Sequence, residues 1–243
     1  MTSPVTRFCT QDFQRLKDQL VRRWAVDPKD IAAVEPKLKV LHKSYLSLAC
    51  TATIMGLRKK PNEHIQGVVE CCYLCVVLAT KGAENVCFVL LRQSLELVLK
   101  HLFFACHPVE YEWASTREGY RELGFAALVS FFSRTDECAG LDPDEWLRGR
   151  LKHWHAILSR YVHVHSRRFL GYSKVGSCFR PDQETVQRIA KAARELWGIL
   201  AAVLVVYFPE RYHRASGIEK RLIRQGMPKK VRGLMDRYLR TCA

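Results

Sequence analysis

"TQDFQRLKDQLVRRW", Thr10–Trp24, places Phe13, Leu16, Leu20 and Trp24 at intervals of three and four among charged and amide residues. On an α-helix that spacing makes one apolar stripe, whereas a strand would scatter the four side chains over both faces. The helical reading extends outward. "DPKD" at Asp27 is a helix start, with the Asp side chain as cap and Pro28 at the first helical position. Pro36 is read as restarting the helix that carries "LKVLHKSYLSLACTATIMGL". "PNEH" at Pro61 separates this from a third apolar helix running to about Ala79. "TKGAEN" is a turn, and a long helix follows from about Glu84 to Cys106, ended by Pro108.

The middle of the chain is more polar. "REGYRELGFAALVSFFSR" reads as helix to about Ser133, "TDECAGLDPDE" as a loop, and Asp142–Pro143 as the opening of the helix that carries "EWLRGRLKHWHAILSRYVHV". After the loop "GYSKVGSCFRPD", Pro181 or Asp182 starts a helix to about Tyr207. "SGIEKRLIRQGMPKKVRGLMDRYLR" reads as two short basic helices split by Gly226 and Pro228. Alternating strand patterns with hairpin turns are absent. The expected fold is therefore all-α: a helical bundle over residues 1–215 and a basic helical appendage over 216–243.

A formal charge of +15 on 243 residues favours a polyanionic partner, with nucleic acid ahead of an anionic membrane surface. Apolar residues make up 48%, enough to exclude general disorder. The ten cysteines sit largely in apolar runs such as "VVECCYLCVVLA", where free thiols behave as small hydrophobes. No signal segment opens the chain, so a reducing cytoplasm is expected rather than a disulfide framework. Cys72 and Cys75 form a C-x-x-C without a second paired motif, so no metal is assigned. No cofactor is implied. The longest apolar run, Leu196–Phe208, has 13 residues, short of the roughly 20 that span a bilayer, and reads as a core helix.

Two constellations carry chemistry. In "LLRQSLELVLKHL", Arg92, Glu96 and Lys100 lie four apart on one helical face beside the apolar side of Leu91, Leu95, Val98 and Leu102. The Arg/Glu pair either locks two helices or orients a group in a polar pocket. In "ILSRYVHVHSRR", Ile157–Arg168, Arg160 and His165 stand five apart. A regular helix would point them about 140° apart, whereas Arg160, His163 and Arg167 would share a face. The same Arg-to-His spacing recurs at Arg148/His153 and Arg150/His155. The histidines are either a proton-transfer set or a solvated helix end, where cations are favoured.

The segments "GAENVCFVLLRQSLELVLKHLFFACHPVEYEW" and "WHAILSRYVHVHS" resemble a branch of HEPN-like bacterial proteins. In that branch one helix carries an Arg and a Glu four apart, and a later helix carries Leu-Ser, an aromatic and a His. The matching positions are Arg92, Glu96, Leu158, Ser159, Tyr161 and His163 or His165, within roughly residues 82–166. The resemblance implies a helical bundle, with a HEPN-like core over about 62–208, often paired as a homodimer or built into a larger complex. It also implies metal-independent RNA cleavage in prokaryotic anti-phage or toxin-type defence. His165 would be the acid/base and Arg160 the phosphate clamp, with His163 as the substitute on a regular helix. Tyr161 departs from the polar residue usual after that Arg. The alternative is a non-catalytic nucleic-acid-binding or assembly subunit of a larger nucleoprotein machine.

RNA rather than DNA is the expected ligand. Phosphate contacts are assigned to Arg167 and Arg168 and, on the basic C-terminal helices, to Lys220, Arg221, Arg224, Lys229, Lys230, Arg232, Arg237 and Arg240. Tyr207, Tyr212 and Tyr238 are either base-stacking or packing residues. The same helices on an anionic lipid surface would be a third reading.

Overall fold

Asp27 caps its helix as its sequence context suggests: the carboxylate accepts from the Lys29 N–H at 2.8 Å, and Pro28 opens the first turn. The computed structural model describes residues 3–56, 62–116, 123–141, 145–162 and 180–241, and these contain twelve helices and no strand. The chain is all-α. The helices are α1 (Pro4–Trp24), α2 (Pro28–Met55), α3 (Asn62–Ala79), α4 (Glu84–Cys106), α5 (Pro108–Thr116) and α6 (Phe125–Ser133). They continue with α7 (Asp136–Leu141), α8 (Trp146–Val162), α9 (Gln183–Tyr207), α10 (Pro209–Arg214), α11 (Gly217–Gly226) and α12 (Lys229–Thr241). None is long and apolar enough to cross a membrane.

The apolar run of α9 sits at the centre. From Leu196 to Val206 every residue is buried, so this helix is enclosed on all sides rather than on one stripe. It packs along α2 on one flank and α4 on another, while α3 and α4 form a helical hairpin over the Thr80–Ala83 turn. The one polar side-chain group of Trp197 is satisfied: its indole N–H donates to Ser94 Oγ at 3.2 Å, and Ser94 donates to the Leu91 carbonyl. Gly82 takes φ 69° in the hairpin turn, a conformation that a side chain disfavours.

Two local readings are corrected. Pro36 does not restart a helix, because α2 runs through it from Pro28 to Met55. Ile31, Val34, Leu38 and Leu41 on either side are all buried on one stripe, and that packing outweighs the roughly 3 kcal/mol that an interior proline costs. Pro36 and Ala32, whose carbonyl lacks its usual donor, both lie on the exposed side. The stretch "TDECAGLDPDE" is not all loop either: Asp136–Leu141 forms α7, with Cys138 and Leu141 buried.

The basic C-terminal helices share the bundle's own core. Ile223, Met227, Val231, Met235 and Leu239 belong to the same apolar cluster as α2, α4 and α9. α11 lies on α2, with Ser47 Oγ donating to the Ile223 carbonyl at 2.6 Å, and α12 lies on α9 and α7. Ser216 and Glu219 cap α11 reciprocally, so the helix starts at a fixed place.

Candidate nucleic-acid interface

α4 and α8 pack side by side and bring one of the sequence constellations together. Arg92 Nε donates to Glu96 Oε1 at 2.9 Å, one turn along α4. The same carboxylate oxygen lies 3.4 Å from His155 Nε2 on α8. The imidazole of His155 stacks on Phe125 with ring centroids 3.6 Å apart, and Ser159 Oγ donates to the His155 carbonyl at 2.6 Å. Tyr161 stacks on Phe88 at 4.3 Å, and burial, followed by the nearby Glu84 carboxylate, raises its phenol above the ordinary range. Leu158 is fully buried. Thus Arg92, Glu96 and Ser159 join His155, a histidine of the Arg150/His155 spacing, in one half-buried cluster.

Arg160 stands elsewhere. It is exposed in the last turn of α8, five residues beyond His155 and so about 140° around the helix from it. Among the described residues it has no ion-pair partner. His163, His165, Arg167 and Arg168 lie outside the described residues. Arg150 is committed to Glu195 on α9, with Nε donating at 2.7 Å.

Glu96 therefore serves as the anion for two cationic or protonatable groups. The Arg92 and Glu96 side chains keep 18% and 29% of their exposure, so the pair is partly buried. Arg92 Nη1 is nevertheless enclosed without a hydrogen-bond partner among the described residues. Glu96→Ala is expected to lower stability by about 1–2 kcal/mol, less than the loss for a fully buried pair, with Glu96→Gln closer to wild type. Urea denaturation of the two variants measures it. An unchanged midpoint for Glu96→Ala would mean that the pair carries no structural weight.

The C-terminal basic residues divide into two groups. Arg224 forks onto Asp236 at 2.6 and 2.7 Å and ties α11 to α12. Lys220 donates to the His213 carbonyl, and Arg221 donates to the Gly217 carbonyl of its own helix. Arg232 is half-buried, whereas Lys229, Lys230, Arg237 and Arg240 are exposed. Lys230, Arg237 and Arg240 recur at spacings of seven and three, opposite the buried Val231, Met235 and Leu239. The tyrosines pack: Tyr212 is buried, Tyr207 hydrogen-bonds Thr135, and Tyr238 lies against Gly140.

Cys72 and Cys75 are fully buried. Burial holds the Cys72 thiol well above its ordinary value; for Cys75 the hydrogen bond with Cys87, and then burial, does the same. Neither is poised as a thiolate. Among the described residues no cluster of histidine, cysteine or acidic side chains has the makings of a metal site.

Sequence reasoning alone misses His155 as a partner of Glu96. It also misses Lys37, Lys191 and Arg194, which join Lys229 and Lys230 around a cleft between α2, α9 and α12. The sequence signals for His155 are its Arg150 spacing and its i,i+4 relation to Ser159, neither of which points to Glu96; the cleft cations lie on helices far apart in the chain. No family model, curated protein or solved structure matches the chain.

Proposed function

We propose that the protein is an RNA-binding effector of the HEPN-like kind, serving prokaryotic defence, with Arg160, His163 and His165 as a metal-independent cleavage set. The observation that carries the RNA-binding part is the uncompensated stripe on α12. Lys230, Arg237 and Arg240 face outward, and Asp236, the only acid on that helix, is held by Arg224. Among the described residues the stripe has no ion-pair partner, Lys230 lying over the Trp146 ring, and it suits a phosphate backbone, which lysine and arginine contact without reading bases. The defence role follows from the resemblance on Arg92, Glu96, Ser159 and Tyr161. The cleavage set is favoured by Arg160, exposed and uncommitted at the end of α8.

Binding should release counterions. On single-stranded RNA the log–log salt slope is expected to be near −0.7 per phosphate contact, with weak sequence preference. Arg237→Ala combined with Arg240→Ala should flatten the slope by about 1.4, two contacts' worth. Anisotropy titrations of RNA and DNA oligonucleotides at several salt concentrations give this directly. Should neither nucleic acid bind at low salt while vesicles containing phosphatidylserine do, the basic surface belongs to a membrane and the RNA reading fails.

A further inference from the structure

Five cations from three helices converge on one cleft of about 530 Å³. Lys37 comes from α2, Lys191 and Arg194 from α9, and Lys229 and Lys230 from the first turn of α12. Among the described residues none of the five is in an ion pair. Among the described residues the only carboxylate at the cleft, Glu195, is already held by Arg150 of α8. Its commitment matters, because Lys191 precedes Glu195 by four residues on α9, the spacing at which the two would otherwise pair. Arg150 therefore offsets the charge of the one carboxylate that the described residues bring to the site.

The cleft is not uniformly charged. Val40, Ala190, Pro228 and Trp146 supply an apolar wall, and Lys230 Nζ sits 4.4 Å from the centre of the Trp146 ring. Like charges focused in one cleft repel one another and attract a polyanion. The helices that carry them are held together by close packing, such as Gly198 against Pro228, so the backbone positions of the five stay clustered. The volume falls within the roughly 300–1,000 Å³ of small-ligand sites, room for about one nucleotide rather than a run of them.

Charge then decides which nucleotide. An internal RNA nucleotide brings about one negative charge, far short of five cations. A terminal triphosphate brings about four, two from its inner phosphates and nearly two from the last. We propose that this cleft binds the triphosphate of a terminal nucleotide, with the lysines and Arg194 on the phosphates and the base against the Trp146 and Val40 wall. The proposal rests on the RNA-binding reading, for which the ligand is the 5′-triphosphate end of an RNA. A free nucleoside triphosphate presents the same group.

The test uses the full chain and one short single-stranded RNA carrying either a 5′-triphosphate or a 5′-hydroxyl, with free nucleoside triphosphate as competitor. The triphosphate RNA is expected to bind at least about tenfold more tightly, equivalent to about 1.4 kcal/mol. Lys191→Ala combined with Arg194→Ala should erase that preference and leave the hydroxyl RNA within about threefold of wild type. Both residues are exposed, so a thermal melt should show the variant folded, and Lys37→Gln provides a second, independent removal of charge. Competition by free nucleoside triphosphate at concentrations matching the triphosphate RNA would make the free nucleotide the ligand; competition only at large excess would make it the RNA end. Equal binding of both RNAs, with no competition, overturns the cleft proposal and leaves the RNA reading intact. Binding of free triphosphate with no binding of hydroxyl RNA at low salt does the reverse. If neither nucleic acid nor nucleotide binds, both are overturned.

Discussion

Gly226→Ala is expected to destabilise the protein by roughly 3 kcal/mol, the upper end of the usual overpacking range. A β-carbon at this position would lie 2.2 Å from Ser47 Cβ and 2.5 Å from Ser47 Oγ. These atoms are at the root of a side chain on a buried turn of α2, so no rotamer change relieves the clash. Either α11 lifts from α2 or the helix bends. Lifting also breaks the Ser47–Ile223 hydrogen bond and exposes Ile223, Met227 and Val231, whose burial holds the basic helices in place. For a chain of this length that loss is a fall of about 6–12 °C in Tm. Ser47→Gly in the Gly226→Ala background restores the space at the cost of the hydrogen bond. The double variant should therefore be more stable than the sum of the two single losses. Additive losses, or an unchanged Tm for Gly226→Ala alone, would show that α11 does not seat on α2 as described. Gly198 meets a similar constraint from Pro228 on the other side of the same segment, so the two glycines fix α11 and α12 between them.

The helices are legible in the sequence where local chemistry and periodicity agree. Phe13, Leu16 and Leu20 fall on the buried face of α1, and Asp27 and Asp182 cap where they stand before a helix. Pro36 misleads because proline's local penalty is visible in the sequence, while the buried stripe that overrides it depends on packing against α9. α7 is hidden for the opposite reason. Its six residues are too few to show a period, and Gly140 with Asp142–Pro143 supply ordinary turn signals. The Arg92/Glu96 pair is an i,i+4 relation and is readable. Its link to His155 joins residues 59 positions apart and is not. Arg150–Glu195 and Ser47–Gly226 are likewise contacts between distant segments, set by how α8, α9 and α11 pack. The cleft is the extreme case: Lys37, Lys191 and Arg194 are unremarkable in a chain with 39 lysines and arginines until packing brings them beside Lys229 and Lys230.

Simultaneous His163→Ala and His165→Ala substitution is expected to abolish metal-independent RNA cleavage, a loss of at least about 10²–10⁴-fold, while RNA affinity stays within a few-fold. Cleavage without a metal needs a base for the 2′-hydroxyl, an acid for the departing 5′-oxygen and a cation for the charge that grows on phosphorus. Imidazole suits both proton transfers because it titrates near neutral pH. Arginine suits the phosphorus centre because its fork matches two oxygens. On α8 the arginine free to meet that charge is Arg160. Arg150 is spent on Glu195, whereas Arg160 is exposed and stands three residues before His163 in the chain. Arg160→Lys keeps the charge but loses the fork, so it should slow single-turnover cleavage more than it weakens binding. The Arg237/Arg240 double variant should do the reverse, weakening binding while the saturated rate holds. Assays in EDTA separate this chemistry from contaminating metal-dependent nucleases. Cleavage that survives loss of both histidines sinks the assignment. If wild-type protein binds RNA but leaves it intact, the non-catalytic nucleic-acid-binding or assembly subunit becomes the reading, with the α12 stripe retained and residues 160–165 reduced to a solvated basic segment.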